Sequence, residues 1–100
     1  MRQFEFTPGY YEWHLTDKAT GEIVLNIPDP VEDLYNEDGE ELSKEEIIDM
    51  YECDVEHYNN LYKDGIAVYG VRPEQPLTDE ELKPAAHLIA ETLYNYYIAE

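Results

Sequence analysis

Phe4 and Phe6 alternate with Gln3 and Glu5, the period-two pattern of a strand with one buried face. Thr7-Pro8-Gly9-Tyr10 follows, with proline and glycine at the central positions of a type II turn, and so predicts a hairpin. In the returning run Tyr11, Trp13 and Leu15 share one face while Glu12, His14 and Thr16 share the other. Asp17-Lys18-Ala19-Thr20-Gly21 then turns the chain into Glu22-Ile23-Val24-Leu25-Asn26-Ile27, completing an antiparallel meander that Pro28 and Pro30 end. Residues 28–42 read as a loop with Val31, Leu34 and Tyr35 as anchors and Asn36 to Gly39 as a turn.

From Ser43 the period changes. Ser43 and Glu46 have the spacing of a capping box, Asp64-Gly65 supplies an end, and Ile47/Ile48, Tyr51, Val55, Tyr58 and Leu61/Tyr62 recur at helical intervals. Ile66-Ala67-Val68-Tyr69-Gly70-Val71 reads as a short fourth strand. Thr78 and Glu81 repeat the capping-box spacing, and Leu82, Ala86, Ile89, Leu93 and Tyr97 make the stripe of a second helix. Pro84 lacks an amide proton, so it should kink that helix or move its start. The expected fold class is α+β: one domain over residues 1–100, with a small antiparallel sheet (a three-stranded meander plus the short fourth strand) packed against two helices.

Charge changes the picture. The chain carries 24 acidic and 6 basic residues, a formal net charge of −18, well beyond the magnitude of about 2–8 that serves solubility in a small domain. Leu, Ile, Val and Phe together stand just above the ~20% below which highly charged chains stay disordered, and ten tyrosines and Trp13 add the apolar area a fold needs. A polyanion is repelled by nucleic acid and by anionic lipid, which excludes both as direct partners and leaves basic proteins. The N-terminal segment has no apolar signal region and no run reaches the ~18 apolar residues of a membrane span. Together with the single Cys53, which has no disulfide partner in the chain, this points to the cytoplasm.

The acids are concentrated in Glu37–Glu56. On the first helix Glu45, Asp49, Glu52 and Glu56 fall at steps of four, three and four, off the apolar stripe and along one line. Each like-charge neighbour pair costs an isolated helix about 0.2–0.5 kcal/mol. At ~1.5 Å rise per residue, the row spans about 16 Å, and Glu37, Asp38, Glu40 and Glu41 extend its field from the preceding loop. A DNA strand offers a phosphate every ~3.4 Å, a denser row of the same kind. In size, acidity and aromatic content the chain resembles the acidic nucleic-acid-mimic inhibitors of phages and mobile elements, of the anti-CRISPR and anti-restriction type. That resemblance implies an inhibitor occupying the nucleic-acid groove of a basic partner in the host cell cytoplasm. The alternative is an acidic interaction or regulatory module without mimicry, with a second copy of the chain as one partner.

The tyrosines exceed what a core of this size buries. Tyr51, Tyr58 and Tyr97 fit core stripes, whereas Tyr94 and Tyr96 lie off the second-helix stripe and are the expected contact residues. Catalytic and metal chemistry finds less support. Asn36-x-Asp38-Gly39 with Glu45 matches part of a calcium loop, but its first ligand position falls on Leu34. Cys53 and His57 sit one helical turn apart among acids that raise a thiol pKa, the reverse of what a nucleophile needs, and supply two of the four ligands of a zinc site. His14 and His87 have no partner nearby in sequence. No catalytic residue, metal ligand or cofactor site is assigned, and the chain reads as a binding protein.

Overall fold

A computed structural model of the chain describes residues 1–99. Three antiparallel strands, β1 (Phe4–Pro8), β2 (Glu12–Asp17) and β3 (Ile23–Pro28), form one sheet in the order β1-β2-β3. Phe6 pairs with Leu15 and Leu15 with Leu25, so these apolar residues line up across one face, with Trp13 opposite Ile27 beside them. A register shift between Leu15 and Thr16 leaves Val24 without a partner on β2, a bulge that bends β3 and buries it on both sides.

The first hairpin forms, but by a different turn from the one expected. Strand β1 runs on through Pro8, and Gly9 N–H donates to the Glu12 carbonyl at 2.6 Å without entering the left-handed region that a type II turn at Thr7–Tyr10 demands. Gly9 is needed for space instead: a β-carbon there would meet the His14 ring and the Glu12 carbonyl oxygen, the latter at 2.7 Å. Pro8 is tolerated because β1 is an edge strand. At the second turn Gly21 does adopt positive φ (77°), as its place at the end of a tight loop requires.

Helix α1 (Lys44–Lys63) starts where its capping box places it. Glu46 N–H donates to the Ser43 hydroxyl at 3.2 Å and Ser43 N–H to the Glu46 carboxylate at 3.1 Å. It ends in a Schellman motif: Gly65 (φ 82°) donates to the Tyr62 carbonyl and Ile66 N–H to that of Leu61, both at 2.9 Å. Helix α2 (Asp79–Tyr97) begins at Asp79 and continues through Pro84, so the proline does not displace the start. Its ring falls in the second turn on an exposed position, where the lost amide bond is the Glu80 carbonyl's. Ion pairs Lys44–Glu91 (3.9 Å) and Lys63–Asp79 (3.6 Å) tie opposite ends of the two helices, which therefore run antiparallel.

The core joins Phe6, Trp13, Leu15, Leu25 and Ile27 of the sheet to Ile47, Tyr51 and Val55 of α1 and to the Ala85/Ala86, Ile89/Ala90 and Leu93 rows of α2. Alanines on α2 let the helices approach closely, and α2 also lies against β1 and against a 3₁₀ helix, Pro30–Leu34. Of the three anchors expected in the 28–42 segment, Leu34 is fully buried while Val31 and Tyr35 are exposed.

The fourth strand expected at Ile66–Val71 is not formed. Tyr69 (φ 50°) and Gly70 (φ 77°) are successive left-handed residues, and they close a tight turn in which Val68 and Val71 exchange backbone hydrogen bonds. The turn consumes the run, leaving a single bridge and no ladder. The segment instead reaches β3, where the Asn26 amide donates to the Tyr69 carbonyl at 3.2 Å.

Two buried polar groups hold the frame. Asn59, on the core side of α1, accepts from Leu77 N–H and donates to the Leu77 carbonyl, both at 2.8 Å, fixing the segment that leads into α2. Glu81 accepts from Arg2 Nε (3.2 Å) and Nη2 (3.0 Å), from the Arg2 backbone amide (3.0 Å) and from Thr78 N–H (3.0 Å). Arg2 Nη1 also lies 3.8 Å from buried Asp17, so one guanidinium serves two acids and ties the N-terminus and β2 to α2. Those donors hold the Glu81 carboxyl at about 2, well below its ordinary value, against the opposing effect of burial.

Candidate partner-binding surface

Helix α1 turns Ile47, Tyr51, Val55, Asn59 and Tyr62 inward, which leaves Glu45, Glu46, Asp49, Cys53 and Glu56 facing solvent. Of the row Glu45–Asp49–Glu52–Glu56, the first, second and fourth are exposed and have no ion-pair partner among the described residues. Glu52 differs. It is half-buried toward α2 and accepts from His87 Nε2 at 2.9 Å, so it borders the groove between the helices.

The rest of the ionic network makes the imbalance sharper. Arg2, Lys44 and Lys63 are engaged with Glu81 and Asp17, Glu91, and Asp79, which takes half of the chain's cations away from α1's outer face. Toward the 3₁₀ helix the acids crowd further. Burial raises the pKa of Asp33 above its ordinary value; the hydrogen bond from Tyr51 at 3.1 Å opposes this, and Asp54 and Glu32 add to it. Burial likewise raises Asp54.

Glu37, Asp38, Glu40 and Glu41 are all exposed in the loop before α1. That loop is ordered from within. Asn36 Oδ1 accepts from the backbone amides of Asp38 (2.9 Å) and Glu40 (3.0 Å), and Gly39 N–H donates to the Asn36 carbonyl. The Asn36 oxygen that a calcium loop would aim at a cation is thereby spent on its own turn. Among the described residues no group of three or more His, Cys, Asp or Glu converges as metal ligands, and no helix is long and apolar enough to cross a membrane. Cys53 is a free, exposed thiol.

Of the two tyrosines expected at a contact, Tyr96 is 59% exposed, whereas Tyr94 is half-buried and packs on the core. More prominent than either are Tyr10 and Tyr11, 90% and 75% exposed at the tip of the first hairpin. Their place on a turn between two strands was the signal, since a hairpin tip has no core to face.

Repulsion along this surface has a measurable cost. Raising sodium chloride from low to moderate concentration shortens the Debye length to ~10 Å at 0.1 M, and should raise Tm by about 4 °C or more if roughly 1 kcal/mol of repulsion is screened. A scanning-calorimetry Tm that stays flat or falls would show that the acids cost the fold nothing. Comparison with protein-family models, with curated proteins and with solved structures finds no match.

Proposed function

We propose that the protein is a binding protein whose acidic face, Glu45, Asp49 and Glu56 on α1 with Glu37, Asp38, Glu40 and Glu41 before it, occupies the basic nucleic-acid groove of a partner. The reading rests above all on the exposed row on α1, where Glu45, Asp49 and Glu56 have no ion-pair partner among the described residues while three of the chain's six cations are engaged elsewhere. A merely solvated helix would gain from interleaved lysines, each opposite-charge pair being worth about as much as a like-charge pair costs. Retaining a destabilising pattern is the mark of a surface kept for binding. Glu52 contributes from the edge of the row, held by His87. Small size, acidity and aromatic content support an inhibitor of the phage-encoded anti-CRISPR or anti-restriction kind, acting in the cytoplasm of a host cell.

The test is competition. Immobilised protein should retain a basic partner from a bacterial lysate, and duplex DNA added to the column should release it. A retained partner that DNA does not displace, or one that binds no nucleic acid, would replace this reading with that of an acidic regulatory module.

A further inference from the structure

The hairpin tip, the start of the 3₁₀ helix and the end of α2 enclose an open cleft of about 300 Å³. Aromatic rings from Tyr10, Tyr11, Trp13, Tyr96 and Tyr97 line it. Trp13 is its floor: the indole stacks on Phe6 at 5.2 Å, donates to the Tyr97 hydroxyl at 3.3 Å and takes Tyr96 edge-on at 5.1 Å. Tyr10 and Tyr11 meet edge-to-face at 4.3 Å and form a wall with little else to touch. The core explains Trp13 and Tyr97; it does not explain three large rings left in water around them.

Charge identifies the occupant. The charged residues lining the cleft are Glu12 and Asp29, both acidic. Because the helices are antiparallel, the end of α2 lies beside the start of α1, so the cleft shares an end of the molecule with the acidic loop 37–41 and with Glu45 and Glu46. An apolar ligand would gain nothing from that field, and a second copy of this chain would bring another −18 into it. A guanidinium fits both features, because it stacks flat on tyrosine and tryptophan, sheds water more readily than an ammonium and is drawn by the surrounding carboxylates. We infer that this cleft receives an arginine side chain presented by a basic protein partner. The inference stands whether or not α1 enters a nucleic-acid groove.

Trp13, the sole tryptophan, reports on the site. Titration with hexa-arginine peptide should change its emission, and Tyr10→Ala and Tyr96→Ala should each weaken that binding about two- to fivefold without altering net charge. Hexa-lysine, held by diffuse charge, should bind both variants as it binds the parent. The triple change Glu45→Lys, Asp49→Lys, Glu56→Lys should weaken both peptides alike, which separates the two surfaces. Tyr10 is nearly free of contacts, so its variant remains informative even if Tyr96→Ala disturbs Trp13. In the two tyrosine variants, equal losses for the two peptides, or none for either, would overturn the assignment. A cation-free polyproline peptide that perturbs Trp13 as strongly would give the cleft to an apolar ligand, and self-association abolished by Tyr10→Ala would give it to a second copy.

Discussion

Glutamine in place of Glu81 should lower stability by about 3 kcal/mol, because it leaves the Arg2 guanidinium partly buried and facing Asp17 alone, with its bidentate partner gone. In a domain of this size that is a fall in Tm of more than about 10 °C, or a lower urea midpoint with unchanged slope. Glu80→Gln, one residue away on the exposed side, is the control and should stay within about 0.5 kcal/mol. A similar small effect at both positions would mean that the Arg2 pair is not a structural tie. The pH dependence carries a second signature. Because the folded Glu81 carboxyl is held at about 2, its contribution is present above the ordinary carboxylate pKa and is lost as pH falls below about 4.5. Asp33 and Asp54 have the opposite sign: their raised pKa values favour the protonated form in the fold, so the cost of keeping them ionised there is relieved as pH falls toward the ordinary carboxylate range. Acidification therefore has two opposing effects, and the acid limb of the stability curve, below about pH 4.5, carries the loss of the Glu81 contribution. In Glu81→Gln the acid limb of that curve should flatten.

Reversing Glu45, Asp49 and Glu56 to lysine together should slow association with the partner about ten- to a hundredfold at low salt, while the fold keeps or gains stability. The opposite signs matter. A structural residue loses stability on replacement, but one held for binding against a local cost does the reverse. The effect should shrink as salt is added, since exposed carboxylates steer at a distance. Glu5→Lys with Glu74→Lys changes net charge at exposed positions outside the acidic row and should do far less per charge. Equal effects per charge in surface plasmon resonance would reduce the acidic row to diffuse charge.

How much of this was legible in the chain depended on distance along it. The starts of α1 and α2 and the sheet's inward face follow from contacts between residues a few positions apart, which is why Ser43/Glu46, Thr78/Glu81 and Trp13/Leu15 could be read directly. Ile66–Val71 misled because an apolar run resembles a strand unless the left-handed preference of one residue is known, and Tyr69 is an unusual choice for that conformation. Asn59 and Glu81 are polar residues at inward positions whose partners lie 18 and 79 residues away, which periodicity does not show. The acidic row could be placed on α1's outer face from spacing alone, but the turning of Glu52 toward His87 required the second helix in position. The aromatic cleft gathers residues from near both ends of the sequence, so counting tyrosines revealed an excess without revealing where it collects.

Trp13 waits for its neighbours. It belongs to the first hairpin, yet the rings that cover it are Tyr96 and Tyr97. A ribosome therefore releases the sheet long before it releases the side chains that finish one end of it, and Glu81 reaches Arg2 almost as late. The early strands have no completed core to settle into during synthesis, and the dense negative charge that follows them, Glu37 to Glu56, keeps such unfinished chains apart from one another. A product cut short before residue 96 would carry the acids without the rings that cover Trp13 and complete the cleft.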